Sequence, residues 1–531
     1  MAYSRIAKLQ QTVSGGAIIF GIASILSRVL GLVRDRLLSS HFGASSIADS
    51  YFTAFKIPDF IFNIIVLGAL SASFVPIFIE YWKKKGHDEA MRMAVILLNL
   101  IAVILIIVGV VCFIFTPQLM HVLAYGDTAE QQSTTILFTR IMLVSIIFFG
   151  MSNVLSGILH AHKKFLIYAL APIFYNVGII CGILFFVPLF GPVGLPFGVV
   201  FGSFLHFAIQ LPALFRTGFH YRPILFLKHP GVTQVIRLMP SRSFALGLTQ
   251  LNTMCIFAIA STLGDGARAT WQYADNLQQF PINIFGVSLA LAVFPFFSEA
   301  YAENNMERFK QVFSENFRRI LFFVIPISII TLLLRAQIVR VVYGAGVFDW
   351  EATYYTAQTL GVFALSMFAQ SLIPLLSRSF FARQDTKTPV IISAISVIVN
   401  VVCAFVFAKH LGIIGLAFAF SLSSIVAMLL LLATLRVRQG DLDDDRIISS
   451  TWKIIGAALL MGLVVHGLKY VAAPLVNMQT FVGVFLQTTI AASGGIMVYI
   501  VIAKQFGFVE AQSIWNRFVS FRHILRKGNH K

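Results

Sequence analysis

Residues 95–115 decide the class of fold, because their sequence VILLNLIAVILIIVGVVCFIF contains no charged residue. The hydrocarbon core of a bilayer is about 30 Å thick, and a helix of about 20 apolar residues crosses it. A helix that is apolar on every side has no face to present to water. The stretch therefore predicts a membrane-spanning helix.

Similar apolar runs recur along the whole chain of 531 residues. Hydrophobic residues make up 58% of the chain and charged residues 12%, whereas a soluble domain carries about 25% charged residues. Mean hydropathy is +0.85. We therefore expect an all-α polytopic membrane protein with about 14 transmembrane helices and no soluble domain. The predicted spans lie near residues 12–40, 51–81, 90–115, 135–160, 165–186, 194–215, 233–263, 271–299, 313–334, 353–381, 388–408, 411–435, 447–468 and 480–503.

The distribution of Lys and Arg predicts the orientation. If both termini lie on one side, that side, counted together with the ends of the spans that face it, holds 29 of the 40 basic residues, and six others lie deeper within spans. Basic loops stay in the cytoplasm, so both termini are predicted to be cytoplasmic. Because the net charge of +18 is spread over short loops, it does not indicate a nucleic-acid partner, which would need a basic soluble face. The opposite side holds five basic residues, Arg268, Arg335, Arg340, Lys409 and Lys469.

An internal repeat relates the two halves of the sequence at a nearly constant offset. Three pairs of segments match, namely FVPIFIE at 74–80 with VFPFFSE at 293–299, LS at 155–156 with LS at 376–377, and GPVGL at 191–195 with GIIGL at 412–416. Each repeat contains six spans, an even number, which predicts two parallel six-helix repeats and a substrate site between them. The predicted domains are 1–220, 221–440, and 441–531 with two additional helices and a basic tail.

The first span carries charges that a membrane helix rarely tolerates. An ionisable residue deep in a span costs about 2.5–3.5 kcal/mol on insertion scales, so it usually faces a cavity or a partner. Ser27, Arg28, Arg34 and Asp35 lie here, and the helical repeat places Arg28 and Asp35 on one face. We expect both arginines to face a cavity. The alternative is an Arg–Asp pair that only ties spans together.

Two further spans carry polar stripes. Asp49, Lys56 and Asn63 follow one another at a spacing of i, i+7 and i+14 in the second span. In the eighth span Asn276 belongs to a stripe at spacings i, i+4, i+7 and i+11, and it corresponds to Lys56 in the repeat. The stripes are predicted to line a substrate site; the alternative is hydrogen bonding between helices.

The charge of this site indicates its ligand. Arginine suits phosphate oxygens through its forked guanidinium, so a cationic cavity among apolar spans favours an amphiphile with a phosphorylated headgroup. The sequence indicates no catalytic cluster, no metal site and no cofactor, and it does not identify a coupling ion. The four cysteines have no paired spacing.

The residues resemble the MurJ (MviN) family of lipid II flippases, within a wider superfamily of polysaccharide-lipid and drug exporters. The likeness covers most of residues 12–435. It is carried by SRVLGLVRD at 27–35, FGA at 42–44, AD at 48–49, AFKIP at 54–58, SFVP at 73–76, YAD at 273–275, FP at 280–281 with GV at 286–287, and ARQDTKTP at 382–389.

The resemblance implies a flippase that moves lipid II, the lipid-linked peptidoglycan precursor, to the outer leaflet of the bacterial cytoplasmic membrane by alternating access. It implies that Arg28 and Arg34 bind the pyrophosphate and that Asp35, Asp49 and Lys56 are their polar companions. Ser27, Asn63 and Asn276 complete the predicted substrate-binding set. The family usually has basic residues where Phe62, Asn63 and Asn276 stand here.

The sequence leaves several other functions open. Export of another polyprenyl-linked saccharide is the nearest alternative, because the missing cations weaken the case for a pyrophosphate. A drug antiporter fits the arginines less well. A membrane enzyme acting on lipid phosphates lacks a catalytic arrangement, and a non-transporting scaffold has no need of buried charges.

Overall fold

The structure is a computed structural model that describes residues 13–68, 74–224, 226 and 228–511. Within these ranges only the backbone is considered for residues 13–20, 22, 240–242 and 245. The described part of the chain forms helices and no strands, as the sequence predicts. The basic tail at 512–531 lies outside the described residues.

The chain divides into two compact units, one formed by Met1–Ala269 with Ala345–Phe348 and the other by Thr270–Gly344 with Asp349–Lys531. The sequence-predicted domains at 1–220, 221–440 and 441–531 rest on the repeat and stay a prediction. The main helices of the first unit are Val13–Phe42, Ser46–Ala54, Lys56–Ile61, Phe74–Lys85, His87–Leu123, Ala129–Met142, Ser145–Ala161, Phe165–Cys181, Gly194–Ala208, Leu211–Phe215 and Pro230–Ala260.

The second unit contains most of helix Ala267–Pro281, whose first residues belong to the first unit. Its core is rich in phenylalanine: the rings of Phe297 and Phe309 lie 5.0 Å apart and those of Phe309 and Phe313 lie 6.0 Å apart. The other main helices of this unit are Ser288–Ala302, Met306–Leu333, Arg335–Tyr343, Trp350–Ala382, Lys387–Gln439, Asp444–Ala472 and Phe481–Gln505.

Within the described residues, eleven helical segments are long and apolar enough to cross a membrane, so the chain is a multi-pass membrane protein. Helix Val13–Phe42, which carries the first-span charges, is not one of the eleven. The exact count of fourteen crossings stays a prediction. The eleven segments are Ser46–Leu67, His87–Leu123, Ala129–Ala161, Phe165–Phe215, Leu246–Leu263, Ala267–Ala302, Met306–Leu333, Trp350–Ala382, Lys387–Gln439, Asp444–Leu475 and Phe481–Gln505.

Two of these segments fold back on themselves, which explains lengths of 51 and 53 residues. Segment Phe165–Phe215 turns at Gly191, where φ is 63°, and its two arms then meet at paired glycines. A Cβ on Gly182 would collide with the backbone of Gly198, and a Cβ on Gly178 with that of Gly202. Small residues let membrane helices approach this closely. The other segment, Lys387–Gln439, breaks at Gly412, where φ is 57° and ψ is −135°.

The sequence repeat is visible in the local backbone of each unit. Phe62–Leu67 and Ile282–Val287 are both single π-helical stretches, and they occupy equivalent positions of the repeat. In each, an asparagine amide donates to the carbonyl oxygen four residues earlier at 2.8 Å, Asn63 to Asp59 and Asn283 to Gln279. Pi-helical turns occur frequently at functional sites.

Candidate substrate site

Arg34 and Asp35 form a charge pair in the first span. Arg34 donates to Asp35 Oδ1 from Nε at 2.9 Å and from Nη2 at 2.7 Å. The side chain of Asp35 is 5% exposed and that of Arg34 is 24% exposed. Helical periodicity places Arg28, and not Arg34, on the face of Asp35. The long arginine side chain nevertheless reaches its neighbour, because its several rotatable bonds can span the angle of about 100° between adjacent helical positions.

Asn176 joins this pair from helix Phe165–Cys181. Its Oδ1 accepts a hydrogen bond from Arg34 Nη1 at 3.1 Å, and its Nδ2 donates to the backbone oxygen of Ser27 at 3.2 Å. The sequence patterns did not predict this residue. The available signal is an amide in the middle of an apolar run, which is costly in lipid unless its hydrogen bonds are satisfied.

A polar cavity of about 320 Å³ lies inside the first unit, beside Arg28. Ser27 and Arg28 belong to its wall, so two of the predicted residues share one cavity. The wall comes from four helices, through Ser24, Ser27, Arg28, Asn153, Ser156, Tyr168, Ala169, Pro172 and His206.

Lys56 and Asn63 lie along helix Pro230–Ala260 of the same unit and are not among the residues that line the cavity. The ammonium of Lys56, 7% exposed, lies 3.7 Å from the centroid of the Phe257 ring, a cation–π contact. Next to Asn63, the carbonyl oxygen of Ile64 accepts a bond from Ser243 Oγ at 2.7 Å. Lys56 is therefore packed against a neighbouring helix, and so is the backbone next to Asn63.

Asp49 is fully buried and binds backbone. Its Oδ1 accepts from the amide of Ala269 and its Oδ2 from that of Gly266, both at 2.7 Å. A carboxylate that accepts hydrogen bonds from the first amides of a helix satisfies donors that have no partner within the helix. The positive end of the helix dipole also stabilises its negative charge. Arg268 is 3.8 Å from Asp49 and donates to Asp127 Oδ1 at 2.7 Å. The group is an ion cluster that fixes the start of helix Ala267–Pro281.

Asn276 lies in the second unit, within a ladder of amides. Its Oδ1 accepts from Gln272 Nε2 at 2.9 Å. One turn further, Gln278 donates to Asp275 at 2.9 Å and accepts from Gln370 at 2.9 Å. The hydrogen bonds of the stripe residues Asn276 and Asn283 thus lie within their own helix, and the bond to a different helix is made by Gln278, which is outside the stripe. A substrate-lining role for the stripe stays a prediction.

The described residues contain no cluster of three or more His, Cys, Asp or Glu that could hold a metal ion. The arrangement offers a guanidinium, hydroxyls and amides. Such groups bind an anion or a polar neutral ligand.

Comparison with known proteins decides the family. A family model described as "Lipid II flippase MurJ" matches residues 38–510. The chain belongs to the MurJ family. Lipid II flippase MurJ of Burkholderia cenocepacia is 30% identical over 451 residues, which cover 83% of this chain and 87% of that protein. The probable lipid II flippase MurJ of Vibrio cholerae is 30% identical over 78% of this chain and 81% of its own length.

A solved structure of a MurJ protein agrees with this assignment. A lipid II flippase MurJ in an inward closed conformation superposes with a TM-score of 0.77 at 25% identity, covering 92% of this chain and 98% of that one. An inward-facing multidrug transporter of the MATE family gives a TM-score of 0.69 at 16% identity, covering 81% of this chain and 99% of its own. This second likeness concerns the fold alone. The predicted resemblance to MurJ is therefore confirmed. The match to the family model begins at residue 38, after Arg28, Arg34 and Asp35. The roles of these three residues therefore rest on their geometry in this structure.

Proposed function

We propose that this protein is a lipid II flippase, which moves the lipid-linked peptidoglycan precursor from the inner to the outer leaflet of the bacterial cytoplasmic membrane by alternating access. The observation that carries the proposal is the polar cavity beside Arg28, in a chain of the MurJ family. The lipid tail of such a substrate stays in the bilayer, and its headgroup needs a polar environment during transfer.

In this proposal Arg28 and Arg34 bind the pyrophosphate. An arginine offers five N–H donors, and the contacts of Arg34 with Asp35 and Asn176 use three of them. Asp35 and Asn176 orient the guanidinium, and Ser27 adds a hydroxyl on the cavity side. A substrate role for Asp49, Lys56, Asn63 and Asn276 stays a prediction, because the contacts found for their side chains lie within the protein.

The orientation belongs to the same proposal. The excess of basic residues in alternate loops supports cytoplasmic termini and a location in the inner membrane. The sequence repeat supports two six-helix halves, 1–220 and 221–440, followed by two further helices in 441–531.

A second candidate is export of another polyprenyl-linked saccharide. It is favoured by Asn63 and Asn276, which are uncharged residues at positions where the family usually has cations. The side-chain amide of each is already hydrogen-bonded. A site with fewer cations holds a pyrophosphate less tightly.

Complementation separates the two candidates. We expect this chain to restore growth of a bacterium depleted of its own lipid II flippase. Failure there, with rescue of a strain that lacks a different polyprenyl-saccharide exporter, would establish the second candidate. An empty vector and an equally expressed Arg28→Ala variant serve as controls.

A further inference from the structure

Apart from Arg28, the residues that line the cavity include no Lys, Arg, Asp or Glu. Of its nine lining residues, one is a cation and none is a carboxylate. Asn153, Tyr168 and His206 bring an amide, a phenol and an imidazole to this wall from three different helices. Groups of this kind are expensive at membrane depth and mark functional sites.

A buried network fixes the ring of His206. Its Nδ1 lies 2.6 Å from Ser152 Oγ, and that hydroxyl also accepts a bond from Gln210 Nε2 at 2.5 Å. Ser156 in turn donates to Gln210 Oε1 at 2.9 Å. The Nδ1 edge is therefore held inside the bundle. The other ring nitrogen, Nε2, bonds to no described residue.

Asn153 is held in a similar way. Its Nδ2 donates to the backbone oxygen of Phe149 at 3.1 Å, one turn earlier in the same helix. This is the one side-chain hydrogen bond that Asn153 makes to the described residues, and it does not involve the Oδ1 acceptor. The ring of Phe149 also packs edge-on against His206 at 5.3 Å, so one aromatic residue supports both polar groups.

We propose that Asn153, Tyr168 and His206 form a subsite for the sugar ring joined directly to the pyrophosphate of the lipid-linked substrate. This inference rests on the proposed function. A sugar ring presents hydroxyl and acetamido groups that both donate and accept, which suits an amide, a phenol and an imidazole. The position beside Arg28 matches a ring bonded to a phosphate.

The size of the cavity limits what it holds. Ligand pockets usually measure about 300–1,000 Å³, and this one, at about 320 Å³, lies at the lower end. It accommodates one ring and its substituents, so the rest of a larger headgroup extends beyond it. Specificity for the first sugar therefore resides in the first unit.

Binding of two synthetic lipids to the purified full-length protein tests the subsite. One is undecaprenyl pyrophosphate, and the other is the same lipid with a single N-acetylhexosamine ring on its pyrophosphate. We expect the wild-type protein to prefer the sugar-bearing lipid. In Asn153→Ala, Tyr168→Phe and His206→Gln this preference falls, each by about fivefold for one lost hydrogen bond, while the Kd for the sugarless lipid changes less than about twofold.

Ser203→Ala is the matched control. Ser203 is buried in the same bundle, one turn from His206, and donates to the carbonyl oxygen of Val200, so the preference should be unchanged. An unaltered preference in all three test variants would overturn the subsite. An equal loss of affinity for both lipids would also overturn it, since that indicates a general disturbance of the cavity. If the wild-type protein bound neither lipid, the proposed function itself would fail.

Discussion

One amide group, that of Asn176, joins Arg34 to Ser27. Its oxygen accepts from Arg34 Nη1 at 3.1 Å, and its nitrogen donates to the Ser27 backbone at 3.2 Å. The same nitrogen lies 3.1 Å from the carbonyl oxygen of Pro172. Helix Val13–Phe42 is thereby held against helix Phe165–Cys181 at the level of its charged residues. The pose of a proposed ligand arginine thus depends on a residue outside the predicted site.

Replacement of Asn176 by Ala should impair transport without unfolding the protein. Arg34 keeps its bonds to Asp35 but loses the contact that fixes its position, so we expect transport to fall about tenfold, while a lost hydrogen bond costs only about 1 kcal/mol of stability. Lipid flipping in proteoliposomes and thermal unfolding measure the two effects. Wild-type transport in this variant would show that Asn176 does not position Arg34.

The helices were predictable from sequence because each one must hide an apolar surface in lipid. The contacts of the site were not predictable. Asp35 and Arg34 are neighbours in sequence and point in different directions on an ideal helix, yet the flexible arginine side chain brings them together. Asp49 binds Gly266 and Ala269, which lie in a distant part of the sequence, and nothing in a polar stripe specifies such a partner.

The sequence did not predict the π-helical stretches. Those at Phe62–Leu67 and Ile282–Val287 keep the offset of the sequence repeat, although each depends on backbone hydrogen bonds that no residue pattern encodes. The close crossing of Gly182 with Gly198 was also not foreseen, because a glycine in an apolar run shows no partner until the turn at Gly191 is known.

Removal of one partner of the buried pair Arg268–Asp127 should lower the stability of the protein strongly. Their side chains are 1% and 2% exposed, and a buried charge left without its partner costs about 3–5 kcal/mol. We expect Asp127→Asn to lose up to that amount in the free energy of unfolding, measured in detergent, because Asp49 still lies 3.8 Å from Arg268. Arg308, 37% exposed beside Glu303 and Glu299, is the control; Arg308→Ala should cost less than about 1 kcal/mol. Equal effects of the two variants would refute the buried role.

Replacement of Gly182 by Val should disrupt segment Phe165–Phe215, in which the chain turns at Gly191. The new side chain meets the backbone of Gly198, which cannot move as a flexible side chain does. Overpacking typically costs about 1–3 kcal/mol, so we expect a lower unfolding temperature and reduced yield. Gly456→Ala is the control, because a Cβ there meets nothing within 4 Å; its stability should equal or exceed that of wild type by up to about 1 kcal/mol. Similar unfolding temperatures for both variants would contradict the close crossing.

The proposed orientation predicts which loops reach the periplasm. After the four native cysteines are replaced, single cysteines at Lys84 and Lys164 should react with a membrane-impermeant thiol reagent only in inverted membrane vesicles. Cysteines at Lys409 and Gln479 should react in intact spheroplasts, because few basic residues mark the outer side. The reverse pattern would place both termini outside the cytoplasm.

In the proposed function, the arginines of the first span bind the pyrophosphate of a lipid that this protein carries across the membrane. Growth of a flippase-depleted strain that expresses the wild-type chain, Arg28→Ala or Arg34→Ala, with membrane insertion quantified for each, tests this role. Lys409→Ala, which removes an exposed cation elsewhere in the chain, is the matched control. We expect growth with the wild-type and control chains and none with either arginine variant at equal insertion. Full growth with both arginine variants would show that these arginines are not required for transport.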